Sequence, residues 1–414
     1  MNKINQLYFD SGKFFNNNKI YFLITYLIYA SGGIMFFYLK PLPKILTFGF
    51  FLLVFLWERR KVTELGIFLV LILYTIIFLV QKITLPFYDL SNYMSYIIII
   101  LNAYLGLKIL GDKFYLYYIK LVYYFCYISL FFWVLVNLFP SFHTYIQFLA
   151  KYLQTDPSVV DESIILYAYE PSDAVFNLIR NNGGFWEPGV YATWLLIALV
   201  LHTITFEKIN KTWWIIFLTL LTTFSTAGFI GLAFVLLGII NRQKVSRKIK
   251  LQRKFLILTI ITISLFNVSF LGDKVTYQLT NANSTSLNSD TSGRFLSARK
   301  AMVSLSRNPL FGERLILKLE VDNLSQDDAF GGYGLIDWLA RIGIIPFFIY
   351  LYYLYKSITI LLIKNHKSKK ETLMYYLAIL AVLFSQSMYD DLMVLMLIFS
   401  SFVFPIRYRI KKYF

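Results

Sequence analysis

Charge is scarce in this 414-residue chain: Asp, Glu, Lys and Arg make up 15% of it, against 58% hydrophobic and 19% aromatic residues. A single water-surrounded core cannot bury that much apolar surface, which excludes a soluble globular protein and predicts a polytopic membrane protein. Cysteine is reduced to Cys126, inside a hydrophobic run. A lone thiol excludes an intrachain disulfide and a thiolate metal site. Histidine occurs only as His143, His202 and His366. No His/Cys/carboxylate group stands at metal-ligand spacing and no phosphate-cradling P-loop occurs, so neither a metal nor a nucleotide cofactor is expected.

What is present is a series of apolar runs. Spans are expected near 20–39, 45–57, 64–80, 93–110, 114–139, 189–206, 212–225, 227–240, 255–271, 336–363, 372–389 and 392–406. The fold class is therefore all-α, a single integral membrane domain over 1–414 with about twelve transmembrane helices. Trp213–Ile240 admits a second reading as one long helix. The first apolar run is too long for a signal-peptide core and follows nineteen more polar residues, so it is expected to stay as a span.

The net charge of +17 invites a nucleic-acid reading, but the basic residues cluster in short loops on alternate sides of the spans. Under the twelve-span reading, 26 of the 40 Lys and Arg fall on one side. The positive-inside rule makes that side cytoplasmic, with both termini on it. No nucleic-acid partner is expected; membrane lipids are.

Two outward loops, about 140–187 and 272–335, are too long for simple turns and are where function is expected. The second contains the polar run Thr280–Ser292 and then an amphipathic helix, Ser292–Gly312. Helical period puts Phe295, Ala298, Met302 and Leu305 on one stripe and Arg299, Lys300 and Arg307 on the far side. Arg294 projects at the edge of the apolar stripe, in the first turn, where free N–H groups and a guanidinium together suit a phosphate. The far-side cations equally suit a helix resting on anionic headgroups, with Arg299 kept as a candidate substrate contact. Asn308-Pro309 should end the helix. Later in the loop, Asp327 and Asp328 form a candidate general base, or simply a solvated acidic turn.

The first loop ends in Arg180-Asn-Asn-Gly-Gly-Phe-Trp-Glu187-Pro188-Gly189. Paired glycines allow close backbone approach, and Pro188 suits a first helical turn. Arg180 either pairs with one of the loop's carboxylates or faces an anionic ligand; Glu187 sits at the membrane edge.

Taken in order, these pieces resemble the O-antigen polymerase and O-antigen ligase superfamily. The resemblance rests on Arg180 with Gly-Gly-Phe-Trp-Glu-Pro, on Ser225-Thr226-Ala227-Gly228 between two short spans, and on Gly293-Arg294 followed by Pro309-Leu310-Phe311-Gly312. Gly334-Leu-Ile-Asp-Trp-Leu-Ala-Arg341-Ile-Gly343 adds to it, so the likeness covers roughly 180–350. The family's Ser-Arg-Thr-Gly pattern appears here without its arginine. The ligase branch's late-loop histidine is missing, which favours the polymerase branch.

The resemblance implies a glycosyltransferase of the bacterial inner membrane acting on polyprenyl-pyrophosphate-linked oligosaccharides at its outer face. A sugar hydroxyl of one lipid-linked glycan would attack the anomeric carbon of another. Arg180 and Arg294 would stabilise the departing pyrophosphate, with Gly293, Arg299, Glu187 and Arg341 as substrate-binding candidates. A chain-length regulator and a flippase would be partners. A transporter or flippase is the reading from another class.

Overall fold

The computed structural model describes residues 18–32, 41–84, 90–139, 141–153, 163–164, 166–169, 174–175, 178–243, 245–267, 294–312 and 334–404. The chain is mostly helical. Its helices are α1 (Asn18–Ser31), α2 (Pro41–Trp57), α3 (Leu65–Thr84), α4 (Leu90–Leu110), α5 (Phe114–Leu138), α6 (Phe142–Leu153), α7 (Pro188–Thr205), α8 (Lys211–Thr222), α9 (Thr226–Arg242), α10 (Arg247–Asn267), α11 (Arg294–Arg307), α12 (Gly334–Ile342), α13 (Ile344–Lys364), α14 (Thr372–Ser385) and α15 (Leu392–Val403). Each expected span overlaps one of these helices. By length and composition, Leu65–Ile83, Tyr93–Leu138, Pro188–Thr205 and Ile344–Lys364 are apolar enough to cross a membrane; the second holds α4 and α5 in succession.

Helix α7 is the axis of the bundle. Every residue from Pro188 to Ile204 is buried, as expected for a helix that is apolar on all sides. Helices α5, α8, α9 and α14 pack around it. The outer faces of α2 and α3 do the reverse, exposing Leu46, Leu53, Leu56, Phe68, Ile72 and Leu79. Contiguous apolar surface of this kind needs a lipid or protein cover.

The bundle's two ends differ in chemistry. At one end, Lys108 pairs with Glu64 at 2.8 Å, Lys364 with Asp112 at 2.9 Å and Arg242 with Glu371 at 2.8 Å. Arg242 also donates to the Thr203 carbonyl at 2.8 Å. These pairs bring segments 58–64, 108–113, 203–211, 242 and 364–371 together, all from the basic loops. The opposite end gathers 179–190, 222–228, 309–312, 334–343 and 386–391.

Four expectations change. The all-α class is incomplete, because the first loop contains two small antiparallel hairpins: β1 (Ser163–Ile164) with β2 (Tyr167–Ala168), and β3 (Ala174–Val175) with β4 (Leu178–Ile179). The same loop also contains α6, whose Ile146 and Ala150 pack in a small core with Val136, Ile164 and Tyr167. The expected span 336–363 is broken at Gly343, which adopts a φ of +81°. Finally, Met302 is exposed, and the buried stripe of α11 is Ala298, Ala301, Ser304 and Leu305. Helix α11 packs closely against α12 through Ala301, Leu305 and Ala340, and close approach selects small side chains over a long methionine. The alternative of one helix over Trp213–Ile240 also resolves: α8 and α9 are separate, with Phe224 at φ +45° between them.

Candidate functional site

Arg180 is held from both sides. Asn137, in the last turn of α5, accepts from the Ile179 N–H at 2.8 Å, and Trp133 Nε1 donates to the Ile179 carbonyl at 2.6 Å. Strand β4 is thereby fixed one residue before Arg180. Arg180, 5% exposed, donates from Nε to the Thr223 carbonyl at 3.0 Å. Asn181 donates from its backbone N–H to the Thr222 carbonyl and from its side chain to the Thr222 hydroxyl. This joins the Arg180 segment to the α8–α9 turn, where Ser225 caps α9 by accepting from the Gly228 N–H. Two of the resemblance segments therefore meet through backbone contacts. Asn182 beside them is 1% exposed, and among the described residues neither its side-chain nitrogen nor its side-chain oxygen has a hydrogen-bond partner.

The other two segments interlock as well. The turn after α11 lies against the break between α12 and α13, where the Ile344 N–H donates to the Pro309 carbonyl at 2.9 Å. Gly312 and Gly343 both have positive φ. A Cβ on Gly312 would lie 2.5 Å from the Arg341 carbonyl, and one on Gly343 would lie 2.3 Å from the Leu310 carbonyl. Gln81 of α3 seals the junction, donating to the Phe311 carbonyl at 2.9 Å and the Arg341 carbonyl at 2.8 Å.

Arg341 lies at the centre of this end. It pairs with Asp337 Oδ2, one helical turn earlier, at 2.7 Å, and the Tyr389 hydroxyl donates to the same oxygen at 2.7 Å. The guanidinium also stands 5.7 Å from the Tyr389 ring centre, a cation–π distance. Tyr389 stacks on Trp338 at 4.5 Å, and Tyr74, Tyr96 and Tyr350 surround the same indole. Trp338 is fully buried, yet among the described residues its Nε1–H has no acceptor. A narrow pocket of about 10 Å³, roughly the room one water needs, opens beside it, lined by Tyr74, Ile77, Phe78, Tyr93, Tyr96, Arg341 and Ile342.

The turn between α14 and α15 connects the two halves. Gln386 donates to Glu187 Oε1 at 3.2 Å, and Tyr389 reaches Asp337. Asp390 is half-buried and interacts electrostatically with Arg341, Lys44 and Asp337; burial, only partly offset by Arg341 and Lys44, raises its pKa. Asp391 lies beside Gly32 and Trp194. Its pKa is raised well above the ordinary range by burial and by Asp390, and among the described residues its Oδ1 has no hydrogen-bond partner.

Of the residues expected from sequence, Arg180, Glu187 and Arg341 lie at this end. Arg299 is exposed on α11. Arg294 is the first residue of α11, one turn before the buried Ala298; its side chain lies outside the described residues, as do Gly293, Asp327 and Asp328. Sequence reasoning missed Gln81, Gln386, Tyr389, Asp390 and Asp391. A signal existed for the last two, since adjacent acids between apolar runs are costly near a membrane and mark a site. Among the described residues no group of His, Cys, Asp and Glu could hold a metal ion.

The molecule is thus a helical bundle with four helices able to cross a membrane and, at one end, a half-buried Arg341–Asp337 pair held by the buried Tyr389. No protein-family profile matches the chain, and a comparison of its sequence with curated proteins gives no match.

Proposed function

We propose that the protein is a polymerase of polyprenyl-pyrophosphate-linked oligosaccharide repeat units, spanning the bacterial inner membrane about twelve times with both termini in the cytoplasm. The observation that carries this reading is Arg341. A cation aligned by Asp337 and Tyr389 borders an aromatic-walled pocket, at the end of the bundle that also holds Arg180, the Ser225–Gly228 turn and the Pro309–Gly312 turn. The ion-paired basic loops lie at the other end, so the positive-inside rule turns the Arg341 end outward.

In this reaction the difficulty is the charge that grows on the departing pyrophosphate. Fixed guanidinium groups stabilise that charge without reorganising as it forms. Arg341 contributes one such group, and Arg180 and Arg294 contribute two more from the two outer loops. The resemblance further assigns Glu187, Gly293 and Arg299 to substrate binding, with no part in the bond-breaking step. A flippase would deliver the lipid-linked units and a chain-length regulator would set their number.

The test in cells replaces Arg180 and Arg294 separately by Ala. Each variant accumulates in the membrane but makes no long-chain glycan; persistence of long chains in both would contradict the two-arginine reading. Ligase-like transfer to a different acceptor uses the same donor chemistry and is distinguished by the product. A second reading, transport of the lipid-linked glycan, is favoured by the half-buried Arg341–Asp337 pair, because ion pairs within a membrane bundle also mark substrate pathways.

A further inference from the structure

Helix α6 divides lengthwise into three strips when its residues are set out at about 3.6 per turn. Ile146 and Ala150 are buried, and with the half-buried Phe142 they close the small core that α6 shares with Val136, Ile164 and Tyr167. On one side of that strip stand His143, Thr144 and Gln147. On the other stand Tyr145, Phe148 and Leu149, which are 65%, 58% and 44% exposed. A helix resting on protein in water keeps its uncovered side polar. Here one flank of the uncovered side is apolar, and two of its three residues are aromatic.

The neighbouring surface of α5 shows what covers that flank. Tyr124, Tyr127, Phe131, Val134 and Leu138 are all exposed. Their spacings of 3, 4, 3 and 4 make one continuous stripe along a segment apolar enough to cross a membrane, so the stripe faces acyl chains. It runs out at Leu138 and Phe139, and the chain turns there, the Phe142 N–H donating to the Phe139 carbonyl at 2.7 Å. Helix α6 therefore begins where α5 leaves the hydrocarbon, and exposed apolar side chains resume in its first turn with Tyr145. Leu138, Phe139, Tyr145, Phe148 and Leu149 are too few for a stable protein partner, which takes about 20–30 residues a side.

We infer that α6 is an interfacial anchor lying along the leaflet at the Arg180 end, with lipid as the occupant of its exposed apolar flank. Tyr145, Phe148 and Leu149 sit at the boundary of headgroups and acyl chains, where amphipathic helices and aromatic rings are stable, and His143, Thr144 and Gln147 turn toward water. More than α6 itself is held this way. Strand β1 packs on α6, and Trp133 and Asn137 of α5 hold Ile179. The first hairpin and the backbone leading into Arg180 are thereby set at headgroup level. This placement needs only a membrane around the bundle and is independent of the polymerase reading.

The experiment uses purified full-length protein in vesicles of phosphatidylethanolamine and phosphatidylglycerol. Cys126, the only cysteine, is buried, and a Cys126→Ser background gives single nitroxide sites at Tyr145→Cys and Thr144→Cys. Neighbouring residues on a helix point about 100° apart, and both of these are exposed, so a helix surrounded by water would treat the two labels alike. The Tyr145 label should be relaxed severalfold more by oxygen, which concentrates among acyl chains, than by a water-soluble nickel chelate, and the Thr144 label should show the reverse order. Wild-type protein supplies a measurement free of substitutions: a photoactivatable group on the acyl chains should crosslink within residues 145–149. Nickel access dominating at both sites, or no crosslink on α6, overturns the inference. A Tyr145 label shielded from both reagents and broadened by a second label also overturns it, by placing another copy of the chain on that flank. None of these results bears on the polymerase reading, whose test is glycan extension.

Discussion

The Tyr389 hydroxyl donates a 2.7 Å hydrogen bond to Asp337 Oδ2, the same oxygen that pairs with Arg341 at 2.7 Å. One carboxylate oxygen thus fixes a tyrosine from the α14–α15 turn and an arginine from the end of α12. Tyr389→Phe removes one hydrogen bond to a charged group, a loss of about 1.5–3 kcal/mol. The expected outcome is a lower melting temperature for the detergent-solubilised protein and a raised donor KM, because Arg341 loses part of its alignment. Unchanged melting and KM would show that Tyr389 does not hold the pair.

Asp337→Asn should cost more. The two side chains are 17% and 20% exposed, so Arg341 would keep its charge with little water to replace the carboxylate, a cost on the order of 3 kcal/mol. The double variant Asp337→Asn with Arg341→Gln should be less destabilised than the sum of the two single variants. Chemical denaturation of all three measures that coupling.

Gly343→Ala and Gly312→Ala test the lock between the Pro309–Gly312 turn and the α12–α13 break. Both positions have positive φ, and at each the added methyl would meet backbone rather than a movable side chain. Each substitution is expected to cost several kcal/mol by combining backbone strain with a steric clash. The folded yield in membranes should collapse for both. Gly49→Ala is the control, since a Cβ there meets nothing within 4 Å, and it should accumulate normally.

Arg299→Ala should retain most of its polymer formation, as its side chain is exposed on α11 away from the buried Ala298–Leu305 stripe. Glycan length profiles from cells carrying Arg299→Ala and Arg180→Ala give the comparison. An Arg299→Ala loss as complete as that of Arg180→Ala would move the site onto the exposed face of α11.

Asp391 gives a pH-dependent prediction for stability. Its folded-state pKa is raised, so between the unfolded value and the folded one the folded protein binds more protons, and stability falls as pH rises. Asp391→Asn removes that penalty. The variant should melt above wild type at neutral pH, and the gain should vanish as pH falls below the ordinary carboxylate value, where both states are protonated. A gain independent of pH would assign the effect to packing instead.

Much of the fold was legible because apolar periodicity and length locate helices without reference to partners. The Lys108–Glu64, Lys364–Asp112 and Arg242–Glu371 pairs bring several of the basic loops together at one end. The break at Gly343 was hidden because an apolar run reads the same whether straight or kinked; only the docked Pro309–Gly312 turn demands it. Met302 was misplaced because hydrophobicity alone ranks it above Ala301 and Ser304, whereas close helix packing selects small residues.

Within the site, Arg180 and Arg341 stood out as cations among apolar and acidic neighbours. Their partners did not. The Thr223 carbonyl is invisible to side-chain reasoning, and Tyr389 is one of 32 tyrosines. Asp337 was visible only as one letter of a motif, and its role depends on the turn at 386–391 folding back over α12.

The most direct test of the polymerase reading is to supply purified protein in liposomes with lipid-linked repeat units and resolve the products by length. Wild type should yield a ladder of extended lipid-linked glycans, and Arg341→Ala and Arg180→Ala should leave single units. Units that cross the bilayer without lengthening, or a ladder that survives loss of both arginines, would contradict it.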